Sequence, residues 1–252
     1  MARGGAIMWR YAYASVVGTS HLRLQTPCQD ASYVMLHDNK IIIAVADGLG
    51  SAAHSEIGAN IACKVATDSI SNAMKSDATA DLQTLCTAAF TDARNAISAE
   101  ATAQEKQLRD FACTLLLVII DHERWVVQHI GDGAVVGFLP DGSIKTISAP
   151  DNGEFINSTY PLTSTDYLTQ LRFTTQTESL SGVAVLSDGV QPMCINYKTG
   201  AAFPGFFSPL VTWLRTLATP SAANEIMQKM LNSEQFRQKS DDDMTLVLAI
   251  RE

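Results

Sequence analysis

The stretch Ile41-Ile42-Ile43-Ala44-Val45-Ala46-Asp47-Gly48 decides how this chain is read. Its six apolar residues have strand length, are rich in β-branched side chains and show no polar alternation, so they form a buried strand. An Asp-Gly pair at a strand end is ordinarily a hairpin turn. Here Leu49-Gly50-Ser51-Ala52-Ala53 follows, and then helical spacing, so no partner strand returns to use the turn. A carboxylate held at the end of a rigid strand, with glycine beside it, needs another explanation.

The same ending recurs along the chain. Val126-Val127-Gln128-His129-Ile130-Gly131-Asp132-Gly133 and Val183-Ala184-Val185-Leu186-Ser187-Asp188-Gly189 close two more apolar segments. Asp241-Asp242-Asp243 stands in reverse order, just before Met244-Thr245-Leu246-Val247-Leu248-Ala249-Ile250. Asp188-Gly189 runs into Gln191-Pro192, which discourages a returning strand. Asp141-Gly142 has β-like residues on both sides and is an ordinary turn. Hard divalent cations take carboxylates, backbone carbonyls and water, and a glycine lets the main chain come close enough to offer its carbonyl. The residues themselves therefore point to an oxygen-ligand metal site.

Leu115 to Ile120, Val183 to Leu186 and Leu246 to Ile250 are the other buried strands. Helical spacing links Ile57, Ile61, Val65, Ser69, Ile70 and Ala73, and again Leu82, Leu85, Ala89, Ala93, Ala96 and Ile97, each set predicted to lie on a sheet. A third helix is predicted near Ile226 to Leu231, with Thr219 and Pro220 as cap and first-turn proline. From Trp125 to Ser148 the pattern is β, with Asp121-His122-Glu123-Arg124 and Pro140-Asp141-Gly142-Ser143 turning between antiparallel neighbours. Asp151 to Ser181 and Val190 to Lys239 read as irregular or inserted. There is no βαβ alternation and no low-complexity linker, so the prediction is an α+β fold in a single domain spanning 1–252.

Lys and Arg total 18 against 26 Asp and Glu, a formal charge of −8. No basic block is present to track a phosphate backbone, so nucleic acid is not an expected partner. Cys28, Cys63, Cys86, Cys113 and Cys194 are odd in number and never spaced CxxC, which argues against a disulfide framework and a thiolate zinc site. Arg10 interrupts the apolar stretch from Ala6 to Val17, and nothing approaches the roughly 20 apolar residues of a membrane span. The expectation is a soluble, cytoplasmic monomer.

Taken together, Gly18-Thr19-Ser20-His21, Pro27-Cys28-Gln29-Asp30-Ala31, the Asp47-to-Gly50 Asp-Gly-x-Gly, Ala112-Cys113-Thr114-Leu115, Ile130-Gly131-Asp132, Leu186-Ser187-Asp188-Gly189 and Asp242-Asp243-Met244-Thr245 form an ordered set. It resembles the metal-dependent type 2C Ser/Thr protein phosphatases over nearly the whole chain. The resemblance implies a four-layer α-β-β-α sandwich of two antiparallel sheets flanked by helices, with two Mg²⁺ or Mn²⁺ ions at one end. It implies that Asp47 bridges both ions, that Gly48 lends its carbonyl to one, and that Asp188 and Asp242 bind the other. Asp132, with Asp188, would serve a third ion, and Asp30 would support the water shell as a second catalytic carboxylate beside Asp47. The implied reaction is hydrolysis of phosphoserine or phosphothreonine in a protein substrate, by direct attack of a water or hydroxide held between the ions.

Three positions depart from the family pattern. Gln29 replaces a glutamate, Gln25 stands where many members place a phosphate-binding arginine, and Leu49 occupies the position of a histidine general acid. His21 and Arg23 are the candidates to reach the substrate phosphate instead, and His54 is a candidate acid. His37, His122 and His129 have no visible chemical company, and Met193, Met227 and Met230 read as core filler. The alternative is a catalytically silent member that binds phosphoproteins through the same cleft. An exported metal-binding β-sandwich lacks a signal sequence and paired cysteines, and a haloacid-type phosphatase lacks its Asp-x-Asp and its alternating topology.

Overall fold

The computed structural model describes residues 8–77, 79–121, 124–150, 159–176, 178–217 and 219–252. The Ile41 segment is strand β3 (Lys40–Ala46). It pairs antiparallel with β2 (Ala31–His37) and β4 (Leu115–Asp121), and β4 continues through β5 (Arg124–Ile130) to β8 (Arg172–Gln176). The second sheet runs β1-β10-β9-β6-β7, formed by Trp9–Val16, Met244–Arg251, Gly182–Leu186, Ala134–Phe138 and Ile144–Ser148, again antiparallel throughout.

Period-two geometry divides each central strand between two cores. Ile41, Ile43 and Val45, with Leu116, Val118 and Ile120, meet Val183, Val185, Val247 and Ala249 of the other sheet. Ile42, Ala44 and Ala46, with Leu115, Leu117 and Ile119, face helices α2 (Ser55–Ser76) and α3 (Leu82–Ala103). Ala184, Leu186, Leu246 and Leu248 face α6 (Pro204–Thr216) and α7 (Pro220–Leu231). The result is the expected α-β-β-α sandwich. Short helices α1 (Thr19–Leu24), α4 (Tyr167–Gln170), α5 (Gln191–Cys194) and α8 (Glu234–Arg237) complete the α-helices among the described residues.

Several sequence expectations change. Helix α2 turns its small residues inward: Gly58, Ala59, Ala62, Cys63 and Ala66 are buried with Ile70, whereas Ile57, Ile61 and Val65 flank them half-buried. The helix is packed closely against both α3 and the sheet, which favours small side chains along the contact. Val190 to Lys239 is mostly helical rather than irregular. Helix α7 is capped by Thr219, whose side chain accepts from Ala222 N, as its sequence predicts. Helix α6 was hidden by Pro204 and Pro209. The first takes the N1 position, where proline is tolerated. Burying Phe207 and Leu214 offsets the roughly 3 kcal/mol that a proline inside a helix costs.

Within Asp151 to Ser181, helix α4 and strand β8 are regular, while positions 151–158 and 177 lie outside the described residues. Asp121 and Arg124 pair across the β4–β5 turn, though His122 and Glu123 lie outside the described residues too. Asp141-Gly142 is a turn, with Ser143 N donating to Asp141 Oδ1 at 2.8 Å. β5 and β6, however, are not neighbours: they belong to opposite sheets, and Gly131-Asp132-Gly133 is the crossing.

Candidate active site

Asp47 leaves the end of β3 held by its own backbone. Its carbonyl accepts from Thr114 N at 2.8 Å, and its N–H donates to Thr114 Oγ1 at 2.9 Å. Gly48 N donates to Gln29 O at 3.1 Å, and a Cβ on Gly48 would stand 2.7 Å from that oxygen and 2.8 Å from Ser55 Cβ, so only glycine permits this approach. Gly131 takes φ +111° where the chain changes sheets, a conformation L side chains rarely adopt, and delivers Asp132 to the same end. Asp132 O accepts from Gln191 Nε2 at 2.5 Å, and its Oδ2 accepts from the Thr159 hydroxyl. Asp188 opens a short 3-10 turn (Asp188–Val190) directly after β9. Asp242 stands just before β10, with Oδ1 accepting from Asp243 N at 2.8 Å.

These four aspartates line one pocket of about 300 Å³, shared with Ser20, His21, Gln29, Gly48, Leu49, Thr114 and Asp241. Asp30 does not line it. Asp30 is buried behind, its Oδ2 accepting from Ser187 Oγ at 2.7 Å, and it faces a second cleft between the edge strands β1 and β2. His21 lines the pocket, with Nδ1 2.9 Å from Asp243 Oδ1. Arg23 does not reach the pocket. Its side chain is exposed, donating to Thr19 O and lying 3.4 Å from Asp241 Oδ2. His54 sits against Phe111, ring centres 5.2 Å apart, and is not among the pocket-lining residues.

Two groups that sequence reasoning passed over organise the site. Asp243, 2% exposed, accepts from Gly18 N at 2.6 Å and Gln29 N at 2.5 Å, tying both N-terminal motif segments to the C-terminal strand. Its place next to Asp242 was the available signal. Beside Asp132, Arg172 donates to Gly131 O (2.7 Å) and Ala149 O (2.6 Å) and lies 2.9 Å from His129 Nδ1, which is itself 2.8 Å from Ser148 Oγ. His129 thus has company that only the fold reveals, since its partners are 19 and 43 residues away.

Burial dominates the electrostatics of the aspartates, with neighbouring carboxylates adding to it. Burial, followed by repulsion from Asp30, Asp188, Asp132 and Asp242, pushes the Asp47 carboxyl well above the usual range. Burial and then Asp132 and Asp242 push Asp188 up to about 7. Burial also raises Asp242, and it raises Asp30 strongly despite the Ser187 hydrogen bond. Asp188 Oδ1 and Gln29 Oε1 are buried without a hydrogen-bond partner. An all-oxygen donor set of this kind fits a hard divalent cation. Among the described residues, no three His, Cys, Asp or Glu side chains alone are placed to hold one ion, so Gly48 O and water belong in any such shell.

The family model for protein phosphatase 2C matches residues 17–232. The chain belongs to the protein phosphatase 2C family. It is 34% identical over 250 residues to serine/threonine-protein phosphatase 3 of Escherichia coli (strain K12), covering 96% of this chain and 98% of that one. The catalytic domain of the serine/threonine phosphatase PstP, solved in complex with two manganese ions, has the same fold, with TM-score 0.65, 19% identity, and coverage of 97% of this chain and 99% of that one. So has PstP/Ppp of Mycobacterium tuberculosis, with TM-score 0.62, 18% identity, and coverage of 96% and 98%. For this protein phosphatase 2C, the ordered motifs and the pocket they line are therefore one feature seen in sequence and in space.

Proposed function

We propose that this protein phosphatase 2C is a metal-dependent serine/threonine protein phosphatase that hydrolyses phosphomonoesters by direct attack of water. One observation carries the reading: Asp47, Asp132, Asp188 and Asp242, brought from four separate loops, line a single pocket in which burial and neighbouring carboxylates raise Asp47 and Asp188. Asp47 and Gly48 O would hold one Mg²⁺ or Mn²⁺, and Asp188 and Asp242 a second toward which Asp47 would have to turn, with water completing each shell, since the three carboxylates do not converge on one point here. Asp132 with Asp188 offers a place for a third. When bound, such cations activate water and neutralise charge on phosphoryl oxygens.

The chain's own groups do the rest. Thr114 fixes the Asp47 main chain from both sides. Asp30, tied to Ser187, stands behind Asp47, whose carboxyl is raised by burial first and by Asp30 next. His21 and Ser20 stand on the pocket wall where phosphate oxygens would seat, in place of an arginine. Gln29 Oε1, buried and without a partner, is a ready acceptor for water. The complete aspartate set favours turnover over a silent phosphoprotein-binding member.

The shared core between the sheets supports treating 1–252 as one catalytic unit. Among the described residues, no helix is long and apolar enough to cross a membrane. We assign the protein a cytoplasmic, monomeric role in dephosphorylation signalling. The test is release of phosphate from a phosphothreonine peptide with Mn²⁺, with and without chelator, beside Asp47→Asn. Equal rates in the wild type and the variant would refute the reading.

A further inference from the structure

Helix α1 carries Ser20 and His21 to the pocket, yet none of its side chains is buried. It is fixed through its backbone and ends instead. Ser20 N and Oγ both donate to Asp241 O, at 2.9 and 2.6 Å, and Gly18 N donates to Asp243 Oδ1 at 2.6 Å. At the other end Gln25 adopts φ +57°, and Thr26 N closes on His21 O at 3.0 Å. A helix held this way does not need apolar side chains to dock onto the fold. It nevertheless presents Leu22 and Leu24, 48% and 72% exposed, and Leu24 is the most exposed large apolar side chain among the described residues.

Position on the helix gives Leu24 meaning. Leu24 follows Ser20 by four residues and His21 by three, the spacing that places side chains on one helical face. It therefore continues outward the same wall that Ser20 and His21 form inside the pocket. At 1.5 Å per residue it stands about 6 Å beyond Ser20. An extended peptide advances about 3.3 Å per residue, so a residue two positions from one seated in the pocket arrives at Leu24. Arg23 and Asp241 lie 3.4 Å apart alongside, which leaves opposite charges balanced at this lip. Single exposed apolar residues elsewhere on a surface need no explanation. Leu24 differs in standing on the helix face that brings Ser20 and His21 to the pocket, and in having no packing task.

We propose that Leu24 is an apolar docking lip that selects phosphoprotein segments bearing an aliphatic or aromatic residue about two positions from the phosphorylated serine or threonine. The proposal rests on the phosphatase reading above. It is tested by measuring kcat/KM of the full-length, Mn²⁺-loaded protein on phosphopeptides with Leu, Phe, Ser or Lys two positions to either side, beside p-nitrophenyl phosphate.

The wild type is expected to favour Leu or Phe over Ser on one side by about fivefold to tenfold, the scale of partial burial of one such side chain. Leu24→Ser should abolish that preference and Leu24→Met keep it, with p-nitrophenyl phosphate turnover unchanged in both. A wild type indifferent to the flanking residue, or a Leu24→Ser variant that keeps the preference, overturns the lip. Loss of p-nitrophenyl phosphate turnover in Leu24→Ser also overturns it, since the leucine would then be supporting the pocket. Turnover of p-nitrophenyl phosphate without any peptide turnover removes the lip alone. Turnover of neither substrate by the wild type overturns the phosphatase reading and the lip with it.

Discussion

Around Asp132 the chain handles buried polar groups in two ways. On the pocket side, Asp47, Asp132, Asp188 and Asp242 bring like charges together, and burial plus mutual repulsion makes each of Asp47, Asp188 and Asp242 reluctant to ionise. One residue earlier, at Gly131, a half-buried arginine finds acceptors in the chain: Arg172 meets two backbone carbonyls and a histidine held neutral by burial and by the guanidinium. The chain provides acceptors for its arginine, whereas burial and neighbouring carboxylates raise Asp47 and Asp188 together. A carboxylate group of this kind is unfavourable to fold alone and becomes favourable when a cation enters. That contrast locates the function in the first cluster and the framework in the second.

The sharpest way to break the contrast is to remove the central carboxylate. Asp47→Asn should lower Mn²⁺-dependent kcat by about a thousandfold, while raising the thermal midpoint of the metal-free protein, because one source of repulsion is gone. A metal-free midpoint that falls instead would show that the aspartates do not strain the fold. The framework cluster should respond in the opposite sense. Arg172→Met leaves the Gly131 and Ala149 carbonyls and His129 without this donor and should cost about 2 kcal/mol in urea unfolding. Arg172→Lys should recover only part, since an ammonium does not reproduce the planar fork.

Cation binding sharpens the comparison further. At a hundredfold excess over its Kd, Mn²⁺ should stabilise the wild type by about 2.7 kcal/mol, a shift that chelator reverses and that Asp188→Asn blunts while Arg172→Met retains it. Thermal unfolding with and without Mn²⁺ reads this directly.

The smallest expected effect is a pH dependence from His129. Burial first, and Arg172 second, hold its pKa well below the ordinary value. The unfolded imidazole takes up a proton near pH 6.5, whereas the folded one does so only at lower pH. As pH falls through 6.5, protons therefore bind preferentially to the unfolded chain and stability declines, by about 1 kcal/mol between pH 7 and 5.5. Urea unfolding of His129→Gln across that range should show a flatter profile; an unchanged slope would remove His129 as its source.

The lengths and types of the central strands, the two long helices and the turn at Asp141 were legible because each depends on residues close in sequence. The inward face of α2 was not: apolar size suggested Ile57, Ile61 and Val65, whereas close packing against α3 and the sheet selected the small residues one position on. Helix α6 was obscured because prolines speak only of local cost, while the buried Phe207 and Leu214 that offset it depend on a distant sheet. Of the candidate phosphate contacts, His21 reaches the pocket and Arg23 turns away, a distinction of helical phase that spacing in a six-residue helix does not settle.

What the sequence alone determined was which aspartates end rigid strands, since the apolar run and the glycine beside each carboxylate are contiguous features. That Asp47, Asp132, Asp188 and Asp242 share one pocket was decided only in the folded molecule. The crossing at Gly131 moves the chain from one sheet to the other, and Asp243 ties the first motif to the last across more than two hundred residues. Electrostatic need arises from distance in space, and distances between such remote segments come into being only when two sheets pack on a common core.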